Sequence, residues 1–156
     1  ASASVDASSA AIAHKAAEGE PVKDDGHVIL VVEDEEVIRK LASKNLIAAG
    51  YRVLVAETHA HARDMYRAHA ETIDVLFSDV ILPDGNGVEL ADAIRRENPN
   101  LPVVLCSGYA REVFKGRSLV QDGYRFLSKP YTLQQMLSEI KQAVGTSEGC
   151  GRGSCA

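Results

Sequence analysis

The chain has 156 residues, of which 46% are hydrophobic and 25% are charged, as in an ordinary globular protein with one compact domain. Its formal net charge of −5 argues against binding to nucleic acid through a basic face. Its apolar runs are far shorter than the roughly 18 residues of a membrane-spanning helix, and its first residues lack the basic and then apolar pattern of a secretory signal.

Both ends of the chain have the composition of loose segments. Residues 1–26 are rich in Ala, Ser and charged residues and hold few large aliphatic side chains, so we expect a flexible linker there. Residues 145–156 are rich in glycine, and we expect a second flexible segment. The folded domain should therefore span residues 27–144. Because the sequence begins at Ala1 rather than Met, we expect it to be part of a longer protein.

Strand-like and helix-like patterns alternate through this domain. Short apolar runs rich in β-branched residues predict strands, and amphipathic stripes with caps such as Thr58 and Thr132 predict helices. The predicted strands cover residues 27–32, 52–56, 75–77, 103–106 and 124–127. The predicted helices cover residues 37–50, 59–70, 86–97, 111–121 and 133–144, and the fourth has the weakest pattern.

This alternation predicts an α/β protein of the flavodoxin-like (βα)5 class, with a doubly wound parallel sheet. The strand order expected for that arrangement is 2-1-3-4-5. Strands one and three are then neighbours, and their carboxyl ends flank the crevice in which such sheets bind ligands.

Charged and hydroxyl side chains follow four of the predicted strands. Glu33 and Asp34 follow the first strand, Asp79 the third, Ser107 the fourth and Lys129 the fifth. If strands one and three are adjacent, the three carboxylates converge and repel one another unless a cation neutralises them. Oxygen ligands of this kind suit Mg²⁺, and a lysine beside a hydroxyl can hold phosphoryl oxygens. The pattern predicts a metal-assisted phosphoryl site around Asp79.

Each of these residues also has an ordinary structural explanation. Asp79 can be a turn residue, and the acidic run from Glu33 to Glu36 can be a first helical turn favoured by the helix dipole. Ser107 can cap a helix, and Lys129 can be a solvated surface charge. Their joint position at strand ends favours the site.

The three cysteines form no recognisable site. Cys106 lies in an apolar run, where its expected role is that of a small buried hydrophobic residue. Cys150 and Cys155 lie near the end of the chain, without the His or second Cys pair that a zinc site needs. This sparse set fits a reducing, cytoplasmic location.

Four motifs stand at the strand ends: VVEDE at 31–35, SDVILPDGNG at 78–87, LCSGY at 105–109 and FLSKPY at 126–131. In order, spacing and chemistry they closely resemble the receiver (phosphoacceptor) domain of two-component response regulators and hybrid histidine kinases. The likeness spans essentially the whole predicted domain. It implies the same fold and a signalling switch that is operated by phosphorylation.

The resemblance implies that Asp79 accepts a phosphoryl group from a phosphohistidine of a histidine kinase or a histidine phosphotransfer domain. Asp34 and Asp79 would ligate Mg²⁺ directly, Glu33 would act through a water molecule, and Ile81 would contribute its backbone carbonyl. Lys129 would contact a phosphoryl oxygen. Such a domain catalyses its own phosphorylation and dephosphorylation but is not a turnover enzyme.

The resemblance also implies how phosphorylation is read. The Ser107 hydroxyl would move onto the phosphoryl group, the Phe126 ring would move inward, and Lys129-Pro130 would be a cis peptide bond. A downstream protein would bind the altered face. We expect no direct contact with nucleic acid or membrane, and a monomer or weak dimer.

The sequence departs from the family pattern at a few positions. Glu33 stands where Asp is commoner, and Gly108 where Ala is frequent. Ile81 and Tyr109 occupy variable positions that, in this family, border the path of the hydrolytic water. Both are bulky here, so we hypothesise slow loss of the phosphoryl group from Asp79.

Several functional contexts stay open from sequence. The tripeptides SGY and KPY resemble those of receivers attached to hybrid sensor kinases and favour that context. A stand-alone response regulator is the alternative. A phosphohydrolase with an Asp nucleophile would need a D-x-D motif after the first strand, where this chain has EDEE at 33–36. A flavin-binding module would need a loop rich in Ser, Thr or Gly at the same place.

Overall fold

The computed structural model describes residues 26–108, 113–114 and 117–150. Five strands form one parallel sheet in the order β2-β1-β3-β6-β9. They are β1 (Val28–Val32), β2 (Arg52–Ala56), β3 (Ile73–Asp79), β6 (Val103–Ser107) and β9 (Arg125–Ser128). This is the predicted order 2-1-3-4-5 of core strands, and the flavodoxin-like fold class is confirmed.

In the part of the chain that the structure describes, four helices cover the two faces of this sheet: α1 (Glu36–Ala48), α2 (His59–Ala68), α3 (Gly87–Glu97) and α4 (Leu133–Cys150). Alternate residues of β1 point to opposite faces. Leu30 and Val32 pack with residues of α2 and α3, whereas Ile29 and Val31 pack with residues of α1 and α4. β3 lies between β1 and β6 and is buried along its whole length, which explains its continuous apolar run.

Local sequence signals set the helix ends. The Thr58 hydroxyl accepts a hydrogen bond from the His61 N–H at 3.0 Å and caps α2. The Thr132 hydroxyl accepts the Gln135 N–H at 3.0 Å, and the Gln135 side chain accepts the Thr132 N–H at 2.8 Å, a reciprocal capping box. Gly50 has φ 103°, a conformation that favours glycine and ends α1.

The structure differs from the sequence prediction between the last two core strands. A helix was expected over residues 111–121, but β7 (Val113–Phe114) and β8 (Arg117–Ser118) pair antiparallel there, and a turn follows. Val113 and Phe114 are residue types that favour extended backbone, in agreement with β7. Residues 111, 112, 115 and 116 of the expected helix lie outside the described residues.

The last helix is also longer than expected. α4 runs to Cys150 rather than ending at Val144, so its final turns take in residues that we expected in a flexible tail. Within the described ranges, no helix is both long and apolar enough to cross a membrane.

A short hairpin, β4 (Ile81–Leu82) and β5 (Gly85–Asn86), connects β3 to α3. Asp84 at its turn accepts hydrogen bonds from the backbone N–H groups of His59 at 2.7 Å and Ala60 at 3.0 Å. These bonds, at the positive end of α2, lower the pKa of the Asp84 carboxyl. The hairpin that follows Asp79 is thereby tied to a neighbouring helix.

Gly87, the first residue of α3, lies against the backbone at the end of β3. Its N–H donates to the Val80 carbonyl at 2.7 Å. A Cβ added to Gly87 would lie 2.1 Å from the Asp79 carbonyl oxygen and 2.8 Å from Ser78 Oγ. No side chain fits in this space, so α3 can begin this close to β3 only with glycine.

We expect Gly87→Ala to lower the free energy of unfolding by about 2 kcal/mol, because the added methyl group forces α3 away from β3. Urea denaturation followed by circular dichroism measures this change. Gly145→Ala on α4 is the matched control, since an added Cβ there meets nothing within 4 Å. It should be neutral or stabilising by up to about 1 kcal/mol. Equal effects of both substitutions would contradict the tight approach of α3 to β3.

Candidate functional site

A cleft of about 410 Å³ opens at the carboxyl edge of the sheet. The loops after β1, β3, β6 and β9 form its walls. Acidic residues, one lysine and loop residues line it: Glu33, Asp34, Glu35, Asp79, Ile81, Leu82, Pro83, Ser107, Gly108 and Lys129. The residues that the sequence predicted for the site therefore lie on one cleft, with the exception of Phe126.

Lys129 connects the two buried carboxylates of this cleft. Its Nζ lies 3.0 Å from Glu33 Oε1 and 2.9 Å from Asp79 Oδ2. Glu33 and Asp79 are only 4% and 7% exposed. Lys129 is held beside β6 by its N–H, which donates to the Ser107 carbonyl at 2.8 Å, and the Lys129-Pro130 bond is cis as predicted. The readings of Lys129 as a solvated charge and of Asp79 as a simple turn residue do not fit these contacts.

Glu33, Asp34 and Asp79 form a group that can hold a metal ion, because one carboxylate oxygen from each lies within 4.8 Å of the others. Asp34 is exposed, so the group has a side open to solvent. An oxygen-only set of this kind fits Mg²⁺, which keeps several of its water ligands. Ile81 lies on the same cleft through the loop after β3. The residues present therefore fit the cation that the sequence predicted.

The acidic run after β1 divides into two roles. Glu33 points into the cleft, and its Oε2 accepts the Glu35 N–H at 3.1 Å. Glu36 instead begins α1 and pairs with Lys40 at 2.7 Å on the surface, which lowers the pKa of the Glu36 carboxyl. The reading of an acidic first helical turn is therefore correct for Glu36 but not for Glu33.

Burial dominates the electrostatics of Asp79 and raises the pKa of its carboxyl to about 6. The hydrogen bond from Lys129 lowers the pKa of Asp79, and the charge on Glu33 raises it. Burial also opposes the charge on Lys129, but its hydrogen bonds to Asp79 and Glu33 outweigh this effect and raise the pKa of Lys129 above its usual range. Three carboxylates facing one lysine leave excess negative charge, which attracts a cation.

Ser107 and Phe126 lie on the neighbouring strands β6 and β9. Ser107 ends β6, is 6% exposed and lines the cleft. Phe126 pairs with Leu105 across β6 and β9, and its ring packs, partly buried, against the core on the side of α2 and α3. Tyr109, the other residue singled out in the sequence, lies outside the described residues.

Two contacts of the site were missed at the level of sequence. Cys106, expected only to fill the core, places its Sγ 3.7 Å from Asp79 Oδ1. Arg39 on α1 donates through Nη1 to the backbone carbonyls of Glu33 at 3.0 Å and Asp34 at 3.3 Å. The signal available for both was proximity in sequence, because Cys106 directly precedes a predicted site residue and Arg39 follows the acidic run by one helical turn.

A second, mostly apolar cavity of about 460 Å³ adjoins the cleft between α1 and α4. Gly108 and Lys129 line both cavities. Leu41 and Leu133 line its mouth with 59% and 45% of their surface exposed, and Val37 nearby on α1 is 74% exposed. The acidic cleft is thus bordered by an apolar surface.

Residues 29–141 match the response regulator receiver domain family. The sensor kinase CckA of Brucella abortus (strain 2308) is 31% identical over 73% of this chain and 12% of its own length. The response regulator receiver protein CpdR of the same organism is 30% identical over 73% of this chain and 93% of its own length. The probable transcriptional regulatory protein TcrX of Mycobacterium tuberculosis is 30% identical over 80% of this chain and 50% of its own length. The chain thus spans a small part of one relative, half of another and nearly all of a third.

Solved receiver domains have the same fold. The receiver domain from the hybrid histidine kinase CckA has a TM-score of 0.64 and 35% identity, and the match covers 75% of this chain and 98% of that one. The non-phosphorylated HemR receiver domain from Leptospira biflexa has a TM-score of 0.67 and 31% identity, covering 76% and 94%. The family match, the order of the strands and the acidic cleft at their carboxyl ends agree, and the chain belongs to the response regulator receiver domain family of two-component systems.

Proposed function

We propose that this receiver domain is a phosphorylation-operated signalling switch in which Asp79 accepts a phosphoryl group from a phosphohistidine. The contact that supports this most directly is the 2.9 Å distance between Asp79 Oδ2 and Lys129 Nζ, within a group of three carboxylates. This contact supports a nucleophilic role for Asp79, because the Lys129 ammonium group beside it can bind phosphoryl oxygens. Receiver domains interact with histidine kinases or phosphotransfer proteins, which supply such a donor.

In the proposed transfer, a carboxylate oxygen of Asp79 attacks the phosphorus atom of the phosphohistidine. The new O–P bond forms as the P–N bond breaks, and the electron pair of the broken bond returns to the imidazole ring. The product is an acyl phosphate on Asp79. The buried strand β3 and the close approach of Gly87 hold the carboxylate for attack, so the fold contributes mainly positioning.

The other residues of the site would each have a separate role in the transfer. Lys129 would hold a phosphoryl oxygen. Asp34 and Asp79 would bind Mg²⁺ directly, Glu33 through a water molecule, and Ile81 through its carbonyl. When bound, the ion neutralises charge on the carboxylates and on the transferred group.

Ser107 and Phe126 form the proposed readout of phosphorylation. The Ser107 hydroxyl would move onto the phosphoryl group and the Phe126 ring would move inward. Their positions on adjacent strands support a coupling between the two movements, because β6 and β9 pair in register from Val104 to Ser107. The altered face would then be available to a downstream protein.

The proposed phosphodonor is a histidine kinase or a histidine phosphotransfer domain. The apolar cavity between α1 and α4 supports this partner. A donor helix could bury apolar side chains there while its phosphohistidine enters the adjoining cleft. The proposed setting is the cytoplasm, with the domain as a monomer or weak dimer.

We infer that the parent protein is a hybrid sensor kinase, and the likeness to the CckA receiver supports this context. A stand-alone regulator is the alternative, supported by the match to nearly the whole of CpdR. Phosphotransfer profiling against a panel of histidine kinases and phosphotransfer domains would identify the donor.

Acetyl phosphate with Mg²⁺ should phosphorylate the wild-type chain, and mass spectrometry should detect a single phosphoryl adduct. Asp79→Asn should abolish the adduct, because it removes the nucleophilic carboxylate, and EDTA should prevent its formation. Asp64→Asn should leave the adduct unchanged, since this exposed carboxylate lies on α2 away from the cleft. A wild-type chain that remains unmodified with Mg²⁺ would refute the proposal.

The raised pKa of Asp79 predicts that the free energy of unfolding of the metal-free protein depends on pH. Because the pKa of about 6 in the folded protein exceeds the ordinary value of 3.8, stability should fall as the pH rises through this interval. Without divalent cations, Asp79→Asn should raise the free energy of unfolding by about 2 kcal/mol at about pH 7.5. The gain should fade as the pH falls through this interval, because Asp79 is protonated in both states only below its ordinary value of 3.8.

Urea denaturation at the two pH values measures this difference. Saturating Mg²⁺ should reduce the gap, because the ion stabilises only the protein that binds it. An Asp79→Asn variant that is less stable than the wild type at the higher pH would contradict the cost assigned to the buried carboxylate.

Slow dephosphorylation is proposed from the bulk of Ile81 and Tyr109. The position of Ile81 supports slow dephosphorylation, since this residue lines the cleft and is 56% exposed. Tyr109→Ala should shorten the lifetime of the aspartyl phosphate several-fold, because water gains an in-line approach to the phosphorus atom. The decay of isolated phosphoprotein in Mg²⁺ buffer measures it. If the lifetime does not change, bulk at this position does not control hydrolysis.

A further inference from the structure

Arg39 holds the backbone that carries two of the three clustered carboxylates. It is the fourth residue of α1, and its guanidinium side chain is 12% exposed. Nη1 donates to the carbonyl oxygens of Glu33 at 3.0 Å and Asp34 at 3.3 Å. Nη2 lies 3.6 Å from Glu57 Oε2, directly after β2. One planar group thus joins the loop after β1 to the end of the neighbouring strand.

These contacts hold the loop that carries two of the carboxylates close to Asp79. The carboxylates of Glu33 and Asp34 both face Asp79, and like charges drive such a loop apart when no cation is bound. The Glu33 N–H donates to the Ala56 carbonyl at 3.1 Å, so β2 already holds one side of the loop. Arg39 holds the carbonyl side of the same residue and of the one that follows.

We propose that Arg39 is a positioning residue for cation binding, which keeps the Glu33 and Asp34 carboxylates within reach of Asp79. This inference rests on the proposed Mg²⁺-dependent function. Arginine suits the task because its planar fork can serve two carbonyl oxygens and a carboxylate at once, whereas lysine presents a compact ammonium group. Contacts that orient metal ligands are worth about 10-fold to 100-fold in metal affinity.

Positioning and simple electrostatics predict opposite effects for the loss of Arg39. A guanidinium close to a cation site repels a divalent ion, so removing its charge alone would tighten Mg²⁺ binding. Loss of a contact that orders the ligands would weaken binding instead. The sign of the change therefore distinguishes the two roles.

Isothermal titration calorimetry of the unphosphorylated full chain with Mg²⁺ provides the test. We expect Arg39→Gln to weaken Mg²⁺ binding by about tenfold. Lys40→Gln is the matched control, because it removes the same charge from the next residue of α1, where Lys40 pairs only with the surface residue Glu36 in the contacts described. Binding by the control should be unchanged or slightly tighter.

Arg39→Lys should bind Mg²⁺ with intermediate affinity, since it keeps the charge but not the fork. Circular dichroism in EDTA shows whether each variant is folded. If Arg39→Gln does not fold, the Mg²⁺ affinity of Arg39→Lys provides the test. Mg²⁺ affinity equal to or tighter than that of the wild type, in the folded variant, would overturn the role of Arg39. A wild-type chain that binds no Mg²⁺ would instead overturn the proposed function, and this inference with it.

Discussion

Carboxylates that are buried close together need positive charge beside them, and the site depends on this constraint. Lys129 supplies part of that charge by contacting Glu33 and Asp79 at once. The three side chains lie at the carboxyl ends of β9, β1 and β3, so the contact requires parallel strands whose carboxyl ends share one edge of the sheet. The doubly wound fold meets the requirement by placing β1 and β3 side by side.

This cluster does not stabilise the metal-free fold. Removing charged groups from water costs free energy that their mutual attraction only partly returns, and the raised pKa of Asp79 reflects that cost. Stability comes instead from the apolar cores on the two faces of the sheet. The cores hold in place a charged arrangement that would not form alone, and a bound cation would complete it.

The central features of the fold and site could be predicted from sequence because each has a one-dimensional signal. The apolar runs of β1 and β3 mark buried strands, and alternation with helical patterns predicts a doubly wound sheet, for which the order 2-1-3-4-5 was expected. Once that order is known, Glu33, Asp79 and Lys129 are expected at one edge of the sheet, since each lies at the carboxyl end of a strand. The caps at Thr58 and Thr132 were equally visible.

The remaining features depend on side-chain direction or on weak local preferences. The hydrogen bonds of Arg39 to the loop after β1 are made to backbone carbonyls, which every residue has. No particular residue type in the sequence therefore predicts them. The approach of Cys106 to Asp79 depends on how two adjacent strands are aligned. The hairpin of β7 and β8 replaced an expected helix because its segment lacks a strong apolar stripe, and such segments are decided by their surroundings.

The β4–β5 hairpin has a consequence for the thermodynamics of ligand entry. Asp84 accepts hydrogen bonds that join its turn to α2, and the Gly87 N–H joins its far end to the Val80 carbonyl, directly after β3. The β4–β5 hairpin therefore lost its conformational entropy when the chain folded. A ligand that enters the cleft does not have to order the loop that carries Ile81, and its binding free energy is not reduced by that cost. On this side the cleft is preorganised.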